Sequence, residues 1–320
     1  MEIAQEQRTV FVLGVCPRSG TNMAARLLCL HPDADLPEGV WEDYLLANGD
    51  DLIDYVDRCE HWWSQWGFDS DDRSGFIASL GAGVENFLAQ RSGARITVTK
   101  TPRVHNLEFL PQLFPNAPAF VMVRDGRSTV ESLMKTFDRT FDEATLTWRD
   151  GMRTLKRSLM QPNVARQVRV IRYEDLHGEM VDTLTSMLET SGLDPARFDM
   201  DEANSMPIFG SSELSTTDEV HWQPVEKTDG FDPTKRFAHW TQAQHDRFRW
   251  LAGEEQMNFG YEISLDREPK PSEQRLLDAK HNARAVRLRP ELAPAKRLVK
   301  RALGKPIPPA DYPRRKGWRD

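Results

Sequence analysis

Cysteine is scarce in this 320-residue chain: Cys16, Cys29 and Cys59 are the whole set, odd in number and without C-x-x-C spacing. That excludes a disulfide framework and a zinc ribbon, and it points to a reducing compartment. Long apolar runs are missing as well. The opening residues, MEIAQEQRTVFVLGV, put no basic segment ahead of a long apolar stretch, and no run of about 18 apolar residues occurs. The expectation is a cytoplasmic protein without a transmembrane segment. A positive excess is absent too. The formal net charge of -7 argues against general nucleic-acid binding.

The charge that is present is uneven. From Lys270 to Asp320 there are 15 Lys and Arg against five Asp and Glu, a local net of +10 that leaves -17 for the rest. This divides the chain into an expected single domain over 1–265 and a basic, proline-containing tail over 266–320. With 39% hydrophobic residues, there is enough apolar material for a sizeable core.

The short apolar run Thr9–Val15 reads as a buried parallel strand, and Arg95–Thr99, Ala119–Arg124 and Val168–Arg172 are further strand candidates. Helical spacing recurs at Thr21–Leu30 and at about 103–113, 126–137, 140–160, 178–191 and 242–258. This alternation implies an α/β fold with a mostly parallel sheet covered on both faces. Residues 33–75, acidic and carrying Trp41, Trp62, Trp63 and Trp66, read as a helical insertion between the first and second of these strands. Its tryptophans suit either core aromatics beneath a solvated face or the wall of an acceptor pocket. Residues 200–239 are irregular, with the lone His221 beside Trp222.

Two strand-to-helix turns carry the chemistry. Gly14-Val-Cys-Pro-Arg-Ser-Gly-Thr21 closes the first strand and opens the first helix, where backbone N–H groups and the helix dipole favour anions. Arg18 adds a planar cation, and Ser19 and Thr21 add hydroxyl groups. The kinase-type loop, G-x-x-x-x-G-K-[ST], needs a lysine that does not precede Thr21 here, and Ala119–Arg124 ends in Arg124 rather than in an aspartate for magnesium. A P-loop nucleotide kinase or NTPase is therefore the lesser alternative, and no metal site is expected. The second turn, Val121-Met-Val-Arg-Asp-Gly-Arg127, puts Arg124 at a strand end and Ser132 two turns into a helix. Two anion cradles on the carboxyl edge of one sheet suit a ligand with two separated phosphate-type groups.

The ordered set Pro17-Arg-Ser-Gly-Thr21, Leu28, His31-Pro-Asp33, Lys100, Leu113-Phe-Pro-Asn116, Val121–Arg127 and Tyr173-Glu-Asp-Leu176 resembles the sulfotransferases that use 3′-phosphoadenosine-5′-phosphosulfate (PAPS). The resemblance is closest to the branch with the protein-tyrosine sulfotransferases and their bacterial relatives. It covers roughly residues 9–192. It implies a P-loop-like three-layer α/β/α fold with a helical insertion and an irregular C-terminal extension. The resemblance also implies that Pro17, Arg18, Ser19, Gly20, Thr21 and Asn22 hold the 5′-phosphosulfate, and that Arg124 and Ser132 hold the 3′-phosphate. Ser211 and Ser212 are further candidates for that phosphate, and Tyr173 is expected near the nucleotide.

Sulfuryl transfer resembles phosphoryl transfer, so catalysis is mostly positioning and charge stabilisation. Arg18 and Lys100 are the cations expected to meet the developing charge. The acceptor's proton needs a carboxylate shortly after the first helix. Family register favours Glu38, although Gly39 breaks the family's paired-glutamate pattern; the Trp41-Glu42-Asp43 cluster, with Glu42 foremost, is the alternative. The acceptor itself, a small molecule or a glycan, is not spelled out. The basic segment Ala295–Leu303 is compatible with peripheral membrane contact or with packing against an acidic subunit surface, including that of a homodimer.

Overall fold

The computed structural model describes residues 7–206, 236–263 and 268–288. It has two compact units, Met1–Glu268 and Pro269–Asp320. In the first, β1 (Arg8–Gly14) leads into α1 (Thr21–Leu28) and a two-residue strand β2 (Ala34–Asp35). Two long helices, α2 (Gly49–Trp63) and α3 (Ser70–Ser92), precede β3 (Ile96–Thr101). The single turn α4 (Leu110–Leu113) comes before β4 (Ala119–Val123). Helices α5 (Gly126–Phe137), α6 (Phe141–Leu159) and α7 (Pro162–Gln167) separate β4 from β5 (Val168–Arg172). Beyond it run α8 (Asp175–Gly178), α9 (Met180–Ser191), α10 (Met200–Ser205) and α11 (Gln242–Asn258). The described part of the second unit contains α12 (Pro271–Leu288).

The five strands pair in the order β2-β3-β1-β4-β5, and every pairing is parallel. The chain builds one side of β1 with β3, then crosses to the other side with β4. This reversal opens a crevice at the carboxyl ends of β1, β3 and β4, where open α/β sheets bind ligands.

Alternation along the central strands divides the core. Phe11, Leu13, Val121 and Val123 face one cluster, which holds Trp148, Met152 and Phe248 from α6 and α11. Val10, Val12, Phe120 and Met122 face the other, with Ala24, Leu27 and Leu28 of α1 and Leu184, Met187 and Leu188 of α9. Burial on both faces explains why these strands read as continuous apolar runs.

Two expectations need correction. The segment 33–75 is not wholly helical: Ala34 and Asp35 add a parallel strand to β3, with Ile96 N donating to Asp33 O at 2.8 Å. The helical insertion instead runs on to Ser92. Helix α3 begins with a capping box in which Asp69 accepts from Asp71 N and Asp72 N. The pattern at 103–113 yields only α4 and a preceding 3-10 turn, because Asn106 sits at φ 60° and interrupts any longer helix. Trp62 and Trp66 are solvent-exposed, at 62% and 73%, so they are neither core nor enclosed pocket. Trp63 packs on Phe68 and Phe76.

Candidate active site

The first turn is held closed by its own side chains. Ser19 is fully buried; its hydroxyl donates to Cys16 O at 2.8 Å and accepts from Cys16 N at 3.3 Å. Its hydroxyl is thus spent within the loop. Arg18 and Gly20 both adopt positive φ, 76° and 103°, which turns successive backbone amides toward one side. Gly20 is also sterically required: a Cβ there would lie 2.4 Å from Cδ2 of Tyr173. As N-cap of α1, Gly20 offers no side chain to the first helical turn, so the N-terminal amides stay available to an anion. Asn22 Oδ1 is buried with no donor among the described residues.

The second turn is built from further away. Asp125 caps α5, accepting from Arg127 N and Ser128 N, and its side chain also accepts from Arg127 and from Gln256 Nε2. Gly126 N donates to Gln256 Oε1, and Trp148 Nε1 donates to Arg124 O. Helix α11 therefore clamps this turn through Gln256. Tyr261, just beyond α11, donates to Glu174, which in turn accepts from Asp125 N. The closing segment Gly260-Tyr-Glu262 is thus part of the scaffold behind the site.

The two turns meet. Arg18 Nε donates to Ser132 Oγ at 2.9 Å, and Arg124 Nη1 reaches Arg18 O at 3.4 Å. The Arg124 guanidinium lies 4.4 Å from the ring centroid of Tyr173. A fifth residue, which the sequence did not single out, joins them: buried Arg236 donates to Ser132 at 3.3 Å. Arg18 consequently leans toward Ser132 and Arg124 instead of lying only over the first loop. Ser211, Ser212, His221, Trp222 and Ala295–Leu303 fall outside the described residues.

Lys100, at the end of β3, is almost fully buried. Its Nζ has no hydrogen-bond acceptor among the described residues. The nearest carboxylate is Glu42, at 3.7 Å. Burial pulls the Lys100 ammonium down to about 8, against the opposing pull of Glu42 and Asp43. The segment carrying Glu42 is stitched to β3. Asp43 N donates to Lys100 O, Tyr44 N donates to Thr101 Oγ1, and Thr101 Oγ1 donates to Asp43 Oδ1. Burial raises the Asp43 carboxyl above its ordinary range despite those bonds. Tyr44, at φ 50°, donates its phenol to Glu42 Oε2 at 2.8 Å. Glu38 is elsewhere: it is exposed, and its backbone is bonded in both directions to Arg91 of α3.

An all-parallel sheet with arginine-bearing strand-to-helix turns at its switch point, and with the buried Lys100 ammonium beside Glu42, defines an α/β protein of P-loop-like fold. Residues 9–197 match the sulfotransferase family, and the chain belongs to it. The nodulation protein NoeE of Sinorhizobium fredii is 32% identical over 142 residues, which cover 41% of this chain. The match spans about a third (32%) of NoeE's own length. Among solved structures, the sulfotransferase domain of the Synechococcus PCC 7002 olefin synthase aligns at 20% identity over 81% of this chain and 97% of that domain, with a TM-score of 0.47. A mouse sulfotransferase complexed with PAP aligns at 13% identity over 86% of this chain and 89% of that one, with a TM-score of 0.43. No helix among the described residues is long and apolar enough to cross a membrane.

Proposed function

We propose that this chain transfers the sulfuryl group of PAPS to a hydroxyl or amine of a small-molecule or glycan acceptor, by direct in-line displacement. The observation that carries the reading is the buried Lys100 ammonium, which lacks a hydrogen-bond acceptor and faces Glu42 at the switch-point edge of the sheet. A buried ammonium without an acceptor is costly unless an anion completes it.

The residues present fit such a donor. The α1 amides, Arg18, Thr21 and Asn22 would hold the 5′-phosphosulfate end, with Pro17, Ser19 and Gly20 shaping the loop. Arg124, Ser132 and Arg236 would hold the 3′-phosphate, and Tyr173 packs between the two turns. When bound, PAPS supplies the activated sulfuryl group and a phosphate leaving group. Lys100 and Arg18 supply positive charge where negative charge grows, a contribution worth about 3–4 kcal/mol for a single well-placed donor. Glu42 takes the acceptor's proton; its distance from Lys100 and its bond from Tyr44 support this over Glu38. Residues 1–265 carry all of these groups, and the basic tail is dispensable for the chemistry.

The test is release of PAP from PAPS by the purified full chain across a panel of phenolic, carbohydrate and amine acceptors. Acceptor-dependent release supports the proposal; PAP binding without turnover on any acceptor class argues for a non-catalytic nucleotide-binding module.

A further inference from the structure

Trp41 is 36% exposed, and two cations lie against its ring. Lys100 Nζ is 4.3 Å from the ring centroid and Arg26 Cζ is 5.2 Å from it. Both fall within the roughly 6 Å over which an aromatic face attracts a cation. Lys100 depends on that attraction more than a surface lysine would. Its side chain is 1% exposed, and the closest carboxylate oxygen, at 3.7 Å, lies beyond direct hydrogen-bond reach.

Desolvation favours the neutral amine, which would be of no use for meeting negative charge. The charged groups that face Lys100 come from two elements. Glu42 and Asp43, after β2, favour the ammonium; Arg26 of α1 opposes it. Asp43 is itself pushed toward its neutral form by burial, which weakens its help. The indole face is the remaining attraction, and it acts without adding a titratable group.

We propose that Trp41 is a positioning residue for Lys100: its ring fixes the ammonium at the carboxyl edge of the sheet and keeps it charged in a desolvated site. This rests on reading Lys100 as the cation of a PAPS-type site. It gives one tryptophan of the acidic, tryptophan-rich stretch a role in the chemistry, exerted through another residue.

Calorimetric titration of the full chain with PAP between pH 7 and 9.5 tests this, because the ligand's phosphates, with a second pKa near about 6, change charge little there. The unaltered chain loses affinity as Lys100 deprotonates. Trp41→Leu moves that loss about one pH unit lower, the equivalent of one desolvated cation–π contact. Trp41→Phe, which keeps an aromatic face, stays near the original curve. Arg26→Met moves it the opposite way, and Lys100→Met removes it, which ties the inflection to Lys100. A Trp41→Leu curve that coincides with that of the unaltered chain, or that is weakened equally at every pH, overturns the proposal, since a merely structural wall would behave so. Absence of PAP binding by the unaltered chain at any pH sinks the nucleotide reading and this inference with it; binding with an unshifted Trp41→Leu curve sinks this inference alone.

Discussion

Arg18 and Ser132 lie 114 positions apart in the chain and meet in a 2.9 Å hydrogen bond from the guanidinium Nε to a fully buried hydroxyl. Ser132 also accepts from Arg236. One small side chain thus anchors two guanidinium groups, and a third, Arg124, reaches back to the Arg18 carbonyl. Mutual repulsion among such groups is relieved by a bound anion.

Ser132→Ala should therefore weaken PAP binding by about tenfold or more, since hydrogen bonds to charged groups are worth about 1.5–3 kcal/mol. The loss should be much smaller for 5′-AMP, which has no 3′-phosphate. Calorimetry with both nucleotides measures the difference, and equal losses would place the 3′-phosphate elsewhere.

Glu42→Gln should lower PAPS turnover by about 100-fold or more while sparing PAP affinity, the usual scale of a lost general base. Glu38→Gln should leave turnover nearly unchanged. Tyr44→Phe should fall between them, because it removes the 2.8 Å bond that orients Glu42 without removing the carboxylate. Turnover is followed as PAP release with the best acceptor from the panel. A dead Glu38→Gln beside an active Glu42→Gln would reverse the assignment.

The contrast between these two glutamates marks the limit of what the sequence says about the site. The turns at Gly14–Thr21 and Val121–Arg127 were legible because each is local: a strand end, a glycine and a helix start in one short run. Glu42 was legible only as an alternative. What puts it beside Lys100 is a set of bonds from Asp43 and Tyr44 to residues 57 and 58 positions away, and no short-range pattern encodes them. Arg236 was missed for a related reason, since it sits in a stretch without periodicity. In the fold, β1, β3, β4 and β5 were readable as strands, with β1 also readable as a buried apolar run. The strand β2 was too short to carry a period, and α3 shows little one-sided patterning and three internal glycines.

Those glycines make the same substitution act in opposite directions within one helix. A Cβ on Gly81 would lie 1.7 Å from the carbonyl oxygen of Leu113, a backbone atom that cannot swing aside. Gly75 and Gly83 face open space. Gly81→Ala should destabilise by about 1–3 kcal/mol or more through overpacking against α4. Gly75→Ala and Gly83→Ala should each stabilise by roughly 0.5–1 kcal/mol, the helix-propensity difference between the two residues. Urea unfolding of the three variants checks this, and destabilisation by Gly75→Ala and Gly83→Ala as well would contradict the packing described.

Lys100→Met should make the protein more stable at neutral pH while abolishing transfer. In the folded molecule Lys100 titrates near 8, against 10.5 for an unburied lysine, with burial as the main cause. Folding thus disfavours the ammonium, at a cost of roughly 3 kcal/mol by linkage. That cost is fully present below about pH 8. Between about pH 8 and 10.5 the folded molecule releases the proton while the unfolded chain keeps it, so stability rises with pH across that window. Methionine fills much of the same volume and does not titrate. The stability advantage of Lys100→Met should consequently be largest at pH 7 and shrink by pH 10, and groups common to both proteins cancel in that comparison. Glu42 loses its ion-pair partner in the variant, which reduces the absolute gain at pH 7 but leaves the direction of the pH dependence intact. Denaturant unfolding of both proteins at the two pH values reads the effect; an advantage equal at pH 7 and pH 10 would mean that Lys100 keeps an ordinary proton affinity, and would remove the argument that the site holds its ammonium ready for an anion.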